Sequence, residues 1–269
     1  MVFANGWDAS FIQQWMATNN EMAILSTYPA DATNALDERG NALPMNEKSV
    51  PFMCASDIVG GGMVRHRAAC QVSTPNVSGP ILQPYWAAGM SFSKGHRITT
   101  VPYDCCTPYL FNGEEFSMAA RAWTYGYDFY AVHKSVTFHI YDRPAAKRYG
   151  FWSSPLYSAT ELTRSESRIK KVLRLDPEGE YNDTDINKYG LGDQRNISKF
   201  YKVFGINFTN SSVRDNCFLT TTGLLHKHLF PYLRSDRMGI DYSSMPDDIL
   251  LGEAKNEDIA RSTSLAYCE

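Results

Sequence analysis

The residues in this chain best suited to chemistry are two adjacent carboxylates, Glu114 and Glu115, in the run Phe111-Asn112-Gly113-Glu114-Glu115-Phe116. Gly113 lets the backbone turn tightly beside a bound molecule, and two carboxylates follow it at once. Further on, His139 closes a β-rich run and is followed by Asp142 and Arg143. A neutral imidazole beside carboxylates is a common ligand set for Mn²⁺-like ions. A guanidinium grips phosphate oxygens in pairs, which suits Arg143 to a diphosphate. Each residue also has a plainer role. Acids are favoured in any first helical turn, a single strand histidine is more often a satisfied core residue, and Asp142 and Arg143 could simply pair at the surface. Hydrolysis by Glu114 and Glu115 is the poorer chemistry, because neighbours on one helix diverge by about 100° and rarely face each other across a glycosidic bond.

Positioning these groups falls to a strand, a helix and two more strands. Trp86 to Ser93 reads as a buried strand, with Gly89 where the backbone approaches something closely. From Glu114, apolar Phe116, Ala119, Ala120 and Trp123 recur at helical spacing and predict one buried face, with Glu114, Ser117, Met118 and Arg121 on another. Gly126 falls where a left-handed cap ends such a helix. Tyr127–Val132 and Ser135–Ile140 have the length and composition of strands. His96-Arg97 and Tyr103-Asp104 lie in the intervening loop, either shaping an acceptor groove or sitting on the surface.

Before this block, Phe11, Ile12, Trp15 and Met16 predict a helix capped by Asp8 or Ser10, and Met22–Tyr28 a strand stopped by Pro29. The Arg65-His66-Arg67 cluster reads more readily as a solvated face than as a phosphate site. After it, Glu161–Arg174 predicts a helix capped by Ser158 or Thr160 and packed lightly on the core. A loop over 175–190 and a short helix from Ser198 ended by Gly205 follow. The chain has 269 residues and a formal net charge of −3, which disfavours a general nucleic-acid binder. No apolar run reaches the ~20 residues that span a bilayer. Six scattered cysteines without a C-x-x-C pair read as free thiols in a reducing compartment. Against that stand five N-x-S/T sequons, at Asn76, Asn182, Asn196, Asn207 and Asn210.

The segments FSKGHRITTVPYD, PYLFNGEEFSMAARAWTYGYDFYA and FHIYDR, with YGLGDQR at 189–195 continuing to Gly205, resemble the N-acetylglucosaminyltransferases that modify hydroxyproline on a cytosolic ubiquitin-ligase adaptor. The polypeptide N-acetylgalactosaminyltransferases are similar more distantly. The resemblance implies an α/β nucleotide-sugar-binding (GT-A type) domain with a mixed sheet over 1–145, incomplete at its start, and a mostly helical and loop extension over 146–269. It implies UDP-N-acetylglucosamine as donor and a hydroxyl of a protein as acceptor, hydroxyproline or Ser/Thr, with retention of anomeric configuration. It places Glu114 and Glu115 in catalysis, Gly89, Phe111, Gly113, Asp142 and Arg143 at the substrate, and His139 on a Mn²⁺ ion. Family members carry an Asp-x-His or Asp-x-Asp motif just ahead of the segment matching Met1-Val2-Phe3. The expectation is therefore a C-terminal part of a longer enzyme, with the remaining metal ligands upstream. The alternative is a non-catalytic remnant that binds a protein or a glycan. The cysteines and sequons leave the compartment open between cytosol and secretory pathway, and the resemblance leans to the cytosol.

Overall fold

The computed structural model describes residues 1–44, 49–73, 79–141, 150–177, 179–246 and 248–249. Asp142 and Arg143, Asn76 and the last residues of the chain lie outside them.

Ala23–Thr27 (β2) is buried along its whole length. Asp128–Ala131 (β10) runs parallel to it, pairing Phe129 with Ile24. Ile81–Leu82 (β8) pairs antiparallel with β10, and Met90–Ser93 (β9) antiparallel with β2. The result is a mixed four-stranded sheet in the order β8-β10-β2-β9. Continuous apolar runs such as Ala-Ile-Leu suit strands covered on both faces. The expected strand over 86–93 begins only at Met90; Trp86 and Ala87 are buried ahead of it without strand pairing. A second sheet joins Val2–Phe3 (β1), Thr137–His139 (β11) and Ala30–Asp31 (β3) in the order β1-β11-β3. Ser49–Phe52 (β4) pairs with Cys70–Ser73 (β7), and Ser56–Val59 (β5) with Met63–His66 (β6).

Helix α1 (Trp7–Ala17) lies against the main sheet, with Phe11 stacked 5.5 Å from Phe92. Neither Asp8 nor Ser10 caps it. The cap is Gly6, whose left-handed backbone (φ 69°) makes the turn into the helix. His96–Thr100 (α2) is a short helix where a loop was expected.

Helix α3 (Glu114–Thr124) buries Phe116, Ala119, Ala120 and Trp123 as its spacing predicts. It also buries Ser117, Met118 and Arg121, because the chain beyond residue 150 closes over the second face. Arg121 Nε donates to the Gly190 carbonyl at 3.4 Å. Phe200 lies 6.0 Å from Phe116 and 5.3 Å from Trp123. The helix ends in a Schellman arrangement: Gly126 (φ 96°) donates to the Trp123 carbonyl and Tyr127 to that of Ala122.

The described residues from 150 onward pack on this same core. Ala159–Val172 (α4) is capped by Ser158, whose hydroxyl accepts from the Glu161 N–H. It packs more deeply than expected, since Arg168 is fully buried in an ion pair with Asp104 at 2.7 Å. Ile197–Phe204 (α5) follows and ends at left-handed Gly205. Ile206–Asn207 (β12) and Ser212–Val213 (β13) form a hairpin, and Cys217–Thr221 (α6) and Leu224–Leu229 (α7) complete the described helices. The Asp128 carboxylate ties the parts together. It accepts from Asn20 Nδ2 (2.8 Å) and the Ile240 N–H (2.9 Å) and pairs with Arg195 (2.9 Å).

Cys54 and Cys217 are joined by a disulfide, which corrects the free-thiol expectation for that pair. Cys105 and Cys106 are free. The Cys70 sulfur lies within 4.8 Å of both bonded sulfurs; with two of the three bonded to each other, the group is covalent rather than a metal-binding set. Among the described residues, no helix is long and apolar enough to cross a membrane.

Candidate active site

Gly113 stands at the N-cap of α3 with φ 87°, a region that L side chains rarely adopt. A Cβ there would also fall 2.2 Å from Met63 Cε. The turn thus presses against β6 and delivers Glu114 and Glu115 into one cavity of about 560 Å³. Phe111, Tyr28, Pro29, Arg65, His66 and Tyr141 form much of its wall. The Tyr141 hydroxyl donates to the Pro29 carbonyl at 2.9 Å, joining two sides of that wall.

The two carboxylates are held differently. Glu115 Oε1 accepts from the Ala88 N–H at 2.7 Å, and its Oε2 from the Tyr28 hydroxyl. It therefore staples the end of β2 and the segment before β9 to the start of α3. His66 Nδ1 is 3.9 Å from the same Oε2. Burial pushes the His66 pKa down to about 3, so the ring is neutral, stacked 4.8 Å from Tyr85. Burial also raises the Glu115 pKa, opposed by the bonds from Tyr28 and Ala88. Glu114 is raised as well, first by burial and then by the charge of Glu115, with the Tyr103 hydroxyl acting in the opposite direction. A carboxylate whose pKa is raised by burial on a cavity wall marks a candidate functional position.

Glu114, Glu115, Phe111 and Gly113 come together as the sequence suggests. Gly89 does not line the cavity, although Ala88 does. A Cβ on Gly89 would meet Pro29 Cδ at 2.9 Å and Tyr28 Cδ1 at 3.0 Å, so its close approach is to its own chain. His139 is not on the wall either. Its ring stands edge-on to Tyr141 at 4.6 Å, and it pairs in register with Asp31 on β3. Among the described residues, no group of three metal-ligating side chains includes His139. The donor chemistry of His139 and Asp31 suits a divalent cation, yet the pair alone does not complete a site.

Tyr28, Arg65, His66 and Tyr141 were not legible as site residues. The basic cluster divides by strand alternation. Arg67 binds Asp57 in bidentate fashion (2.8 and 2.6 Å), His66 turns inward, and Arg65 lies 5.8 Å over the Phe111 ring at the cavity. The signal available was Tyr28 itself, a polar-tipped aromatic at a strand end just before proline.

A mixed α/β sheet with a carboxylate-lined cleft beside its central strands has the architecture of a GT-A-type sugar-transfer enzyme. Residues 1–210 match the family model described as "Glycosyltransferase (GlcNAc)", and the chain belongs to that glycosyltransferase family. No curated protein matches it.

Proposed function

We propose that this protein transfers N-acetylglucosamine from UDP-N-acetylglucosamine to a hydroxyl of a protein acceptor, hydroxyproline or Ser/Thr. The observation that carries the reading is the cavity at the Gly113-Glu114-Glu115 turn, inside the segment matched by the family. Glu115 is engaged by Tyr28 and Ala88 and acts as a positioning residue. Glu114 orients the sugar or the incoming hydroxyl, which is worth most if its contact tightens in the transition state. Arg65 and Phe111 supply a cation and an aromatic face at the same cavity, suited to an anionic and a sugar-ring surface respectively.

His139 is proposed as one ligand of a divalent cation, Mn²⁺ in our reading, with Asp31 as its neighbour in the sheet register. Such an ion supplies Lewis-acid neutralisation of charge on a departing diphosphate. Arg143 is proposed to act on the same phosphates.

The test is transfer from radiolabelled UDP-N-acetylglucosamine to hydroxyproline, serine and threonine peptides, using the full-length protein, with and without chelator. Saturation-transfer NMR with UDP-N-acetylglucosamine reads donor binding separately. Absence of both donor binding and turnover in the folded, full-length protein would favour a non-catalytic remnant.

A further inference from the structure

We propose that Asn210, at the tip of the β12–β13 hairpin, carries an N-linked glycan acquired in an oxidising secretory lumen. Two independent observations point there. The first is the hairpin itself. Asn210-Ser211-Ser212 is a sequon whose three residues are all exposed, with Ser211 in the left-handed region (φ 52°). The Ser212 hydroxyl donates to Asn210 Oδ1 at 2.6 Å, a contact made at the exposed tip, so that a substituent on Asn210 displaces nothing in the core.

The neighbouring sequon is used differently. Asn207 Oδ1 accepts from the N–H groups of Thr209 (2.9 Å) and Asn210 (3.2 Å), so Asn207 builds the turn that presents Asn210. Asn196 caps α5 through Ser198, and Ile197 between them is buried in the core. Asn182 sits where its own carbonyl accepts from the buried Arg168 guanidinium. A large polar substituent on Asn210 meets solvent without disturbing a cap or a buried contact.

The second observation is the Cys54–Cys217 disulfide, buried between the β4–β5 segment and the start of α6. Structural disulfides form and persist where thiols are oxidised, and they are rare in the cytosol. That same lumen holds the donor for asparagine modification, a lipid-linked diphosphate oligosaccharide. In the step, Asn210 Nδ2 bonds to the anomeric carbon of the donor sugar. The bond from that carbon to the diphosphate oxygen breaks, the lipid diphosphate leaves with the electron pair, and the amide loses one proton. No oxidant or reductant is needed. Attachment precedes folding, and the hairpin then accommodates the product.

The inference is independent of the transfer activity above, because a remnant would be modified equally. Native full-length protein from its own cells is treated with peptide N-glycosidase in ¹⁸O water and analysed by mass spectrometry. The expected result is a gel shift and an ¹⁸O-labelled aspartate at position 210. In the same cells, Asn210→Gln and Ser212→Ala should each remove one glycan increment, and Ser212→Thr should keep it. Because attachment precedes folding, these readouts hold even for a variant that folds poorly. A native protein that does not shift, or a shift unchanged by both Asn210→Gln and Ser212→Ala, overturns the assignment.

Discussion

Replacing Glu114 with glutamine should separate catalysis from architecture, because stability and activity are expected to move independently. Burial and the neighbouring Glu115 charge raise the Glu114 pKa above its ordinary 4.5. The folded state therefore holds this proton to a higher pH than the unfolded chain does. The contribution is fully present below about pH 4.5 and is lost as pH rises through the folded pKa, so at neutral pH the ionised carboxylate weakens the fold. Glutamine keeps the size and removes that charge. The melting temperature of Glu114→Gln at pH 7 should equal or exceed that of the parent, and the pH dependence of stability just above 4.5 should flatten. If the carboxylate orients the reacting sugar, turnover in the full-length enzyme should fall by about two orders of magnitude, roughly 2.7 kcal/mol of barrier. Phe116→Ala is the contrast. Its ring is buried against Phe200, and its loss should cost about 3–5 kcal/mol and lower the melting temperature on the order of 10 °C. Specific activity and calorimetric melting are measured together. A Glu114→Gln enzyme of parental activity, or one whose activity falls only as its melting temperature does, refutes the reasoning.

Three further perturbations probe the frame around that residue. Tyr28→Phe and Glu115→Ala should couple in a double-mutant cycle of denaturant unfolding by roughly 1–3 kcal/mol, since each removes the same hydrogen bond to a carboxylate; additive effects would dissolve the staple. Gly113→Ala should cost at least about 1–2 kcal/mol from its left-handed backbone alone, more if Met63 cannot withdraw, and circular dichroism melts would expose a neutral outcome. Arg168→Ala, which strands the buried Asp104 carboxylate, should destabilise by about 3–5 kcal/mol, whereas Arg168→Ala with Asp104→Ala should recover part of that loss in the same assay.

The central elements were readable because they follow simple periods. The apolar i, i+3, i+4, i+7 spacing from Phe116 and the β-rich runs at 127–132 and 135–140 produced α3, β10 and β11 close to their observed ends. The glycine-acid turn was readable because both of its needs, positive φ and close packing, exclude other residues. What stayed hidden depends on contacts distant in sequence. Nothing local says that Tyr28 reaches Glu115, 87 positions away. Nothing near Arg121 says that Gly190 will cover it, so a helix expected to show a polar face is buried from Phe116 to Thr124. The disulfide was missed for the same reason, its cysteines being 163 positions apart. His139 was singled out through the family resemblance, and the register beside Asp31 that gives it a carboxylate neighbour exists only in the sheet.

The Asp128 carboxylate has a consequence for synthesis on the ribosome. Its strand partner Ala23 and its ligand Asn20 are already made when β10 emerges, but Arg195 and the Ile240 N–H are not. Until they arrive, a carboxylate destined for full burial lacks most of its compensation, and burying it early is costly. Helix α3 is in the same position: Trp123 on its first face awaits Phe200, and Arg121 on its second awaits Gly190. The nascent chain must therefore keep its central sheet open, with apolar surface facing the cytosol or a translocation pore, until almost the whole described chain has been translated. A chain stalled near residue 150 would present that surface continuously, which makes it a client for chaperones rather than a stable intermediate.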